Sequence, residues 1–176
     1  MRYLKVVVKD QSGNAQADTV NLFFIQRSPS LPDELVRTAT AVDVTANGLV
    51  DYQITGDING NGVSGEQDRS LLKQFANNVL KVNWLGRPSA PFRSINMYVS
   101  RFDTATKPIE VRLDFYQNEK PMNGKDTLMF SFTASETVTK GNMELGEEVI
   151  ALDEFDTEDR NALQNMISFY LRFNWQ

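Results

Sequence analysis

The sequence predicts an α+β fold: an antiparallel β-sheet or sandwich of about six or seven strands with two amphipathic helices. Period-two alternation recurs along the chain, clearest where Ile109, Val111, Leu113 and Phe115 alternate with Glu110, Arg112, Asp114 and Tyr116. Glycine-, asparagine- and proline-rich turns separate these stretches. Two segments switch to a 3.6-residue period, one ending near Leu80 and one near Leu171. With 176 residues, 41% of them apolar, the chain is expected to form a single domain, 1–176, around one core.

Residues 2–9 alternate as a strand, with Leu4, Val6 and Val8 on one face, and a turn follows at Gln11-Ser12-Gly13-Asn14. Residues 19–26 form the next strand, with Val20, Leu22 and Phe24 facing one way and Phe23 and Ile25 the other. Apolar side chains on both faces point to burial on both sides or to a subunit contact. Ser28-Pro29-Ser30-Leu31-Pro32 breaks the pattern. Residues 36–46, rich in Thr and Val, read as an edge strand. Asn47-Gly48 is a hairpin signal, and 49–54 is a short strand.

Beyond the next loop, Leu71, Leu72, Phe75, Ala76, Val79 and Leu80 share one helical stripe. Arg87-Pro88-Ser89-Ala90-Pro91 is a loop. An antiparallel meander is expected over 93–134, with a hairpin loop at 118–125. Residues 135–148 read as a polar excursion and 147–152 as a last strand. Asp156 caps a helix over 156–173, with Asp159 completing an approximate capping box. Leu163, Met166, Ile167, Tyr170 and Leu171 form its apolar stripe, and the aromatic end, Phe173 and Trp175, is expected to tuck into a core or a neighbour. No internal repeat stands out.

The most specific chemistry lies between Asp57 and Asp68. Asp57, Asn59 and Asn61 stand at positions 1, 3 and 5 of a twelve-residue frame, Gly62 at 6 and Asp68 at 12. That spacing is the one calcium loops use. Calcium takes six to eight oxygens. Asp57, Asn59 and Asn61 can each offer a side-chain oxygen, Val63 its carbonyl, and Asp68 two oxygens. Gly65 at position 9 leaves that place to water. With two formal charges, affinity is expected near the 10⁻⁴–10⁻³ M of extracellular modules, on the order of magnitude only.

Gly56-Asp57-Ile58-Asn59-Gly60-Asn61-Gly62, Asp68 and Ser70-Leu71-Leu72-Lys73 together resemble one calcium half of a dockerin. Dockerins use Asp at position 12 and a loop-then-helix unit. The resemblance implies Ca2+ held by Asp57, Asn59, Asn61, Val63 and Asp68, on a loop and helix covering 56–82. It extends to one half: Asp159-Arg160 echoes Asp68-Arg69, but Glu148, Ile150 and Leu152 upstream cannot form a second loop. The other reading of 57–68 is an Asn/Gly-rich turn that caps a helix.

Composition removes several function classes. The chain has no histidine and no cysteine, so Ser-His-Asp and Cys-His catalysis, disulfides and the usual zinc sites are excluded. A net charge of −5 with no Lys/Arg cluster argues against a nucleic-acid partner. No run is long enough for a membrane helix, and the first ten residues do not read as a signal peptide, so cytoplasmic synthesis is expected. The acidic run from Glu144 to Asp159 reads as a solvated face plus helix N-terminal charge. Trp84, Tyr98, Tyr116 and Trp175 are candidates for a sugar platform or for the core.

Three classes remain. The first is a non-enzymatic structural or assembly protein, stiffened by one calcium ion, whose partners are other protein subunits in a homo-oligomer or larger assembly. In texture the chain is similar to bacteriophage virion components such as tail or capsid-accessory subunits. The second is a dockerin-like or carbohydrate-recognition binding module. The third is an enzyme working through carboxylates.

Overall fold

The computed structural model describes residues 1–86, 92–118, 126–137, 142–149 and 152–176. Its strands are β1 (Arg2–Lys9), β2 (Thr19–Gln26), β3 (Glu34–Val42), β4 (Tyr52–Ile54), β5 (Arg93–Phe102), β6 (Pro108–Gln117), β7 (Thr127–Glu136) and β8 (Met143–Leu145). They form one sheet of eight strands in the order β4-β3-β2-β1-β5-β6-β7-β8, every described pairing antiparallel. The helices are α1 (Glu66–Lys81), the short α2 (Asn83–Gly86) and α3 (Thr157–Arg172).

The α+β class and the antiparallel pairing agree with the sequence; the counts differ. Sequence patterning expects six or seven strands and two helices, whereas the described residues hold eight strands and three α-helical segments. The extra elements are too short to show a period: β8 has three residues and α2 four. Of the strand expected over 147–152, Glu147–Val149 is a 3-10 turn, and 150–151 lie outside the described residues. Gly146 N–H donates to Thr133 O at 2.8 Å, and the Glu148 carboxylate then accepts from Thr133 N–H and Oγ1. A side chain thus takes over where a strand would have paired. The expected edge strand over 36–46 is bordered by β4, although only from Thr40 to Val42. The loops expected at 87–91 and 119–125 lie outside the described residues.

Alternation decides which face of the sheet is covered. Leu4, Val6, Leu22, Phe24, Ile95, Met97, Leu113 and Phe115 point to the helix side and are fully buried. Against them α1 lays Leu71, Leu72, Phe75, Ala76 and Val79, and α3 lays Leu163, Met166, Ile167 and Tyr170. Edge-to-face aromatic contacts fill the space between. Trp84, Phe130, Phe132 and Phe155 surround Phe115, with centroids 5.1–6.5 Å away. Phe173 sits between Phe24 and Phe75, at 5.6 and 5.1 Å. Such pairs add about 0.5–1.5 kcal/mol each to the area they bury. Among the described residues no helix lies on the other face of the sheet.

At the start of β1, Arg27 donates to both Asp33 oxygens, at 2.9 and 2.7 Å, and Tyr3 Oη donates to Asp33 at 2.7 Å. The guanidinium is the main reason the Asp33 carboxyl is lowered to about 2. Burial first, and the Asp33 carboxylate second, raise the Tyr3 phenol to about 12. A depressed carboxyl stabilises the fold above its unfolded value, near 4, and loses that effect as pH falls through its folded value. Asp33→Asn is therefore expected to be less stable than wild type in urea at neutral pH, with the gap closing between about pH 4 and pH 2.

Candidate functional site

The segment from Asp57 to Asp68 connects β4 to α1, and its first half is a turn closed on Asp57. Asn61 N–H donates to Asp57 Oδ1 at 3.0 Å and Gly62 N–H to Oδ2 at 2.7 Å. Asn59 Oδ1 accepts from Asn61 N–H at 3.0 Å, and Asn61 Oδ1 from Val63 N–H at 2.8 Å. Gly60 and Gly62 have φ of 72° and 87°, the left-handed region where glycine carries no Cβ penalty. Ile58 points down from this turn and is fully buried in the core.

Asp68 closes the second half. It occupies the third position of α1 and is 1% exposed. Its Oδ1 accepts from Ile58 N–H at 3.0 Å and Asn59 N–H at 3.2 Å, and its Oδ2 from Gly65 N–H at 2.9 Å. One carboxylate thus caps the helix and pins the start of the loop to it. Asp159 does the same for α3: it accepts from Asp156 N–H at 3.1 Å and from Asn83 N–H at 2.7 Å, while Asp156 accepts from Asp159 N–H. The Asp-Arg echo in the sequence thus marks two buried carboxylates in one structural role, and the capping box at Asp156 is as expected.

Two more elements hold the loop from outside. Arg37, on β3, donates from Nη1 to the Asp57 carbonyl, and its guanidinium carbon lies 4.7 Å from the Phe24 ring centroid and 4.9 Å from that of Trp175. Asn174 Nδ2 donates to the Asn59 carbonyl at 2.9 Å, and Trp175 Nε1 to Tyr3 O at 3.1 Å. Tyr170 Oη donates to Trp175 O at 3.0 Å. The C-terminal aromatics are therefore packed inside this chain, and Phe173 is fully buried.

The Asp57 turn has two counterparts. Between β1 and β2, Asp10 accepts from Asn14 N–H at 3.2 Å and Ala15 N–H at 2.8 Å, and Asn14 Oδ1 accepts from Gln16 N–H. Between β3 and β4, Asp43 accepts from Asn47 N–H at 3.1 Å and Gly48 N–H at 2.6 Å, and Asn47 Oδ1 accepts from Leu49 N–H. Positive φ falls at the same two places in all three turns: Gly13 and Ala15, Ala46 and Gly48, Gly60 and Gly62. The shared pattern, Asp-x-x-x-Asn-(Gly/Ala), is readable in the sequence as a short repeat once the Asp is taken as the reference. In the first two turns the twelfth place of the frame is Asn21 and Ile54, so neither carries the carboxylate found there in the third.

The structure thus gathers Asp57, Asn59, Asn61 and Asp68 in one loop, while the Val63 side chain points outward at 66% exposure. At Asp68, Oδ1 accepts two N–H groups and Oδ2 one. Among the described residues no group of three or more acidic side chains converges as a cation site, the 144–159 run included. Trp84 and Trp175, 1% and 5% exposed, belong to the core and not to a sugar platform. Comparison with protein-family models, with curated proteins and with solved structures gives no match for this chain.

Asp68→Ala removes the acceptor of three N–H groups in one step. An unsatisfied buried donor costs about 1–3 kcal/mol. The variant is expected to lose about 2–5 kcal/mol in urea unfolding, more than Asp57→Ala, whose turn lies nearer solvent.

Proposed function

We propose that this protein is a non-enzymatic structural subunit that works by assembling with further copies of itself, as a component of a bacteriophage virion such as a tail or capsid-accessory subunit. The observation that carries the assembly reading is the helix-free face of the sheet. On its β5–β7 half that face is polar and charged: Asp114 accepts from Tyr98, Arg112 and Ser131. On its β1–β4 half it presents Val7, Phe23, Ile25, Leu35, Tyr52 and Ile54, with Lys5 beside Phe23 and the Arg27–Asp33 pair at Tyr3 as its charges. Leu35, Tyr52 and Ile54 are 54%, 57% and 57% exposed.

Exposed apolar side chains gathered on one half of a face mark interaction sites. A second copy is the occupant that charge favours. Each copy carries a net charge of −5, so acidic faces repel, and this more apolar half-face, whose charges are Lys5 and the paired Arg27 and Asp33, is where two copies can meet at lower cost. Interfaces between identical subunits are also the more apolar class. Two sheets packed face to face would stand about 10 Å apart. Edge-to-edge pairing is the weaker alternative. The register shift between Phe24 and Ile25 kinks β3, and the outermost strand, β4, is only three residues long. Both features discourage strand addition. The virion setting rests on the similarity of texture described above, and on the absence of the histidine and cysteine that most catalytic sites use.

Light scattering on the purified protein is expected to give a whole-number multiple of 19.9 kDa. Phe23→Glu combined with Ile54→Glu should return it to the single-chain mass while retaining cooperative unfolding. A wild-type monomer at tens of micromolar would overturn the homomeric reading.

A further inference from the structure

We infer that the Asp57–Asp68 loop closes without calcium, and that the cation serving it is the guanidinium of Arg37. The spacing alone points to a metal ion; the geometry assigns each task of that ion to the chain itself.

A calcium ion in such a loop would gather backbone and side chains around one centre, and neutralise the carboxylates. The gathering is already done by hydrogen bonds. Asp57 binds the amides of Asn61 and Gly62, and Asp68 those of Ile58, Asn59 and Gly65. The two other turns of the same geometry, at Asp10 and Asp43, show the arrangement to be a general device of this chain, formed where no twelfth carboxylate stands. The five amides held by Asp57 and Asp68 include two on Asp68 Oδ1, which take up both lone pairs of one of the two oxygens that a two-oxygen ligand would need.

Neutralisation falls to Arg37. It reaches the loop from β3, binds the Asp57 carbonyl, and lies against the rings of Phe24 and Trp175. Burial lowers its pKa, while the nearby Asp57 and Asp68 carboxylates act in the opposite direction. A guanidinium tolerates such a site because it is planar, weakly hydrated and always charged. The same contact joins the loop to the end of the chain, since Trp175 also receives Arg2 on its ring, 4.8 Å from the centroid.

The test is the melting temperature and tryptophan fluorescence of the wild-type protein in millimolar calcium chloride and in EGTA. Identical curves in the two buffers are expected, with Asp57→Ala lowering Tm by the same amount in each. A Tm that rises with calcium, and no longer does so in Asp57→Ala, would overturn the inference. The wild-type comparison decides the question even if that variant does not fold. For Arg37, the Arg37→Met variant is expected to melt roughly 3–6 °C below wild type in EGTA. That loss should shrink when Asp57→Asn is also present, because the charge to be offset has gone. Strict additivity of the two substitutions would overturn the counter-ion role.

Discussion

The structure depends on one repeated interaction: an aspartate carboxylate accepting hydrogen bonds from the backbone N–H groups of its own loop. Asp10, Asp18, Asp43, Asp57, Asp68, Asp103 and Asp159 all do this. Loops that leave a sheet present amides without ladder partners, and a buried amide without an acceptor is costly. A carboxylate offers two oxygens and can satisfy several such amides at once. Asp18 shows the result: it is 4% exposed, and although burial opposes its charge, bonds from Gln11, Ser12 and Thr19 hold its pKa below the ordinary value.

These staples place the rest of the architecture. Asp68 fixes the start of α1 to the loop before it, and Asp159 fixes the start of α3 to Asn83 at the head of α2. With both helix starts pinned, their apolar stripes fall on the same side of the sheet, and Phe173 and Trp175 close the end of the layer. The opposite face is left to the alternation of the strands. One half is organised around the charged network at Asp114 and the other around exposed apolar side chains, and this contrast within a single face underlies the assembly reading.

Much of the fold was legible in the sequence because it follows from periods. The alternation at Ile109–Phe115 and the stripes at Leu71–Leu80 and Leu163–Leu171 gave β6, α1 and α3 nearly in place. The strand Met143–Leu145 and the helix Asn83–Gly86 are shorter than one period and exist through long-range contacts, so no local pattern reports them. At the loop, spacing identified which residues converge but not what they converge upon. A frame of oxygen-bearing side chains suits a metal ion or a set of amides equally well, and only the directions of the bonds separate the two. Arg37 was invisible for a related reason: on β3 it reads as an ordinary strand residue, and its partners Asp57 and Trp175 lie far along the chain.

The most direct test of this account is amide hydrogen exchange, residue by residue, in chelator. The amides of Ile58, Asn61 and Gly62, together with that of Gly48 in the Asp43 turn, should all be slowed relative to the free chain, with no further slowing when calcium is added. Protection at Asn61 and Gly62 that appears only with calcium, while Gly48 stays protected throughout, would contradict it and restore the ion as the element that orders the loop.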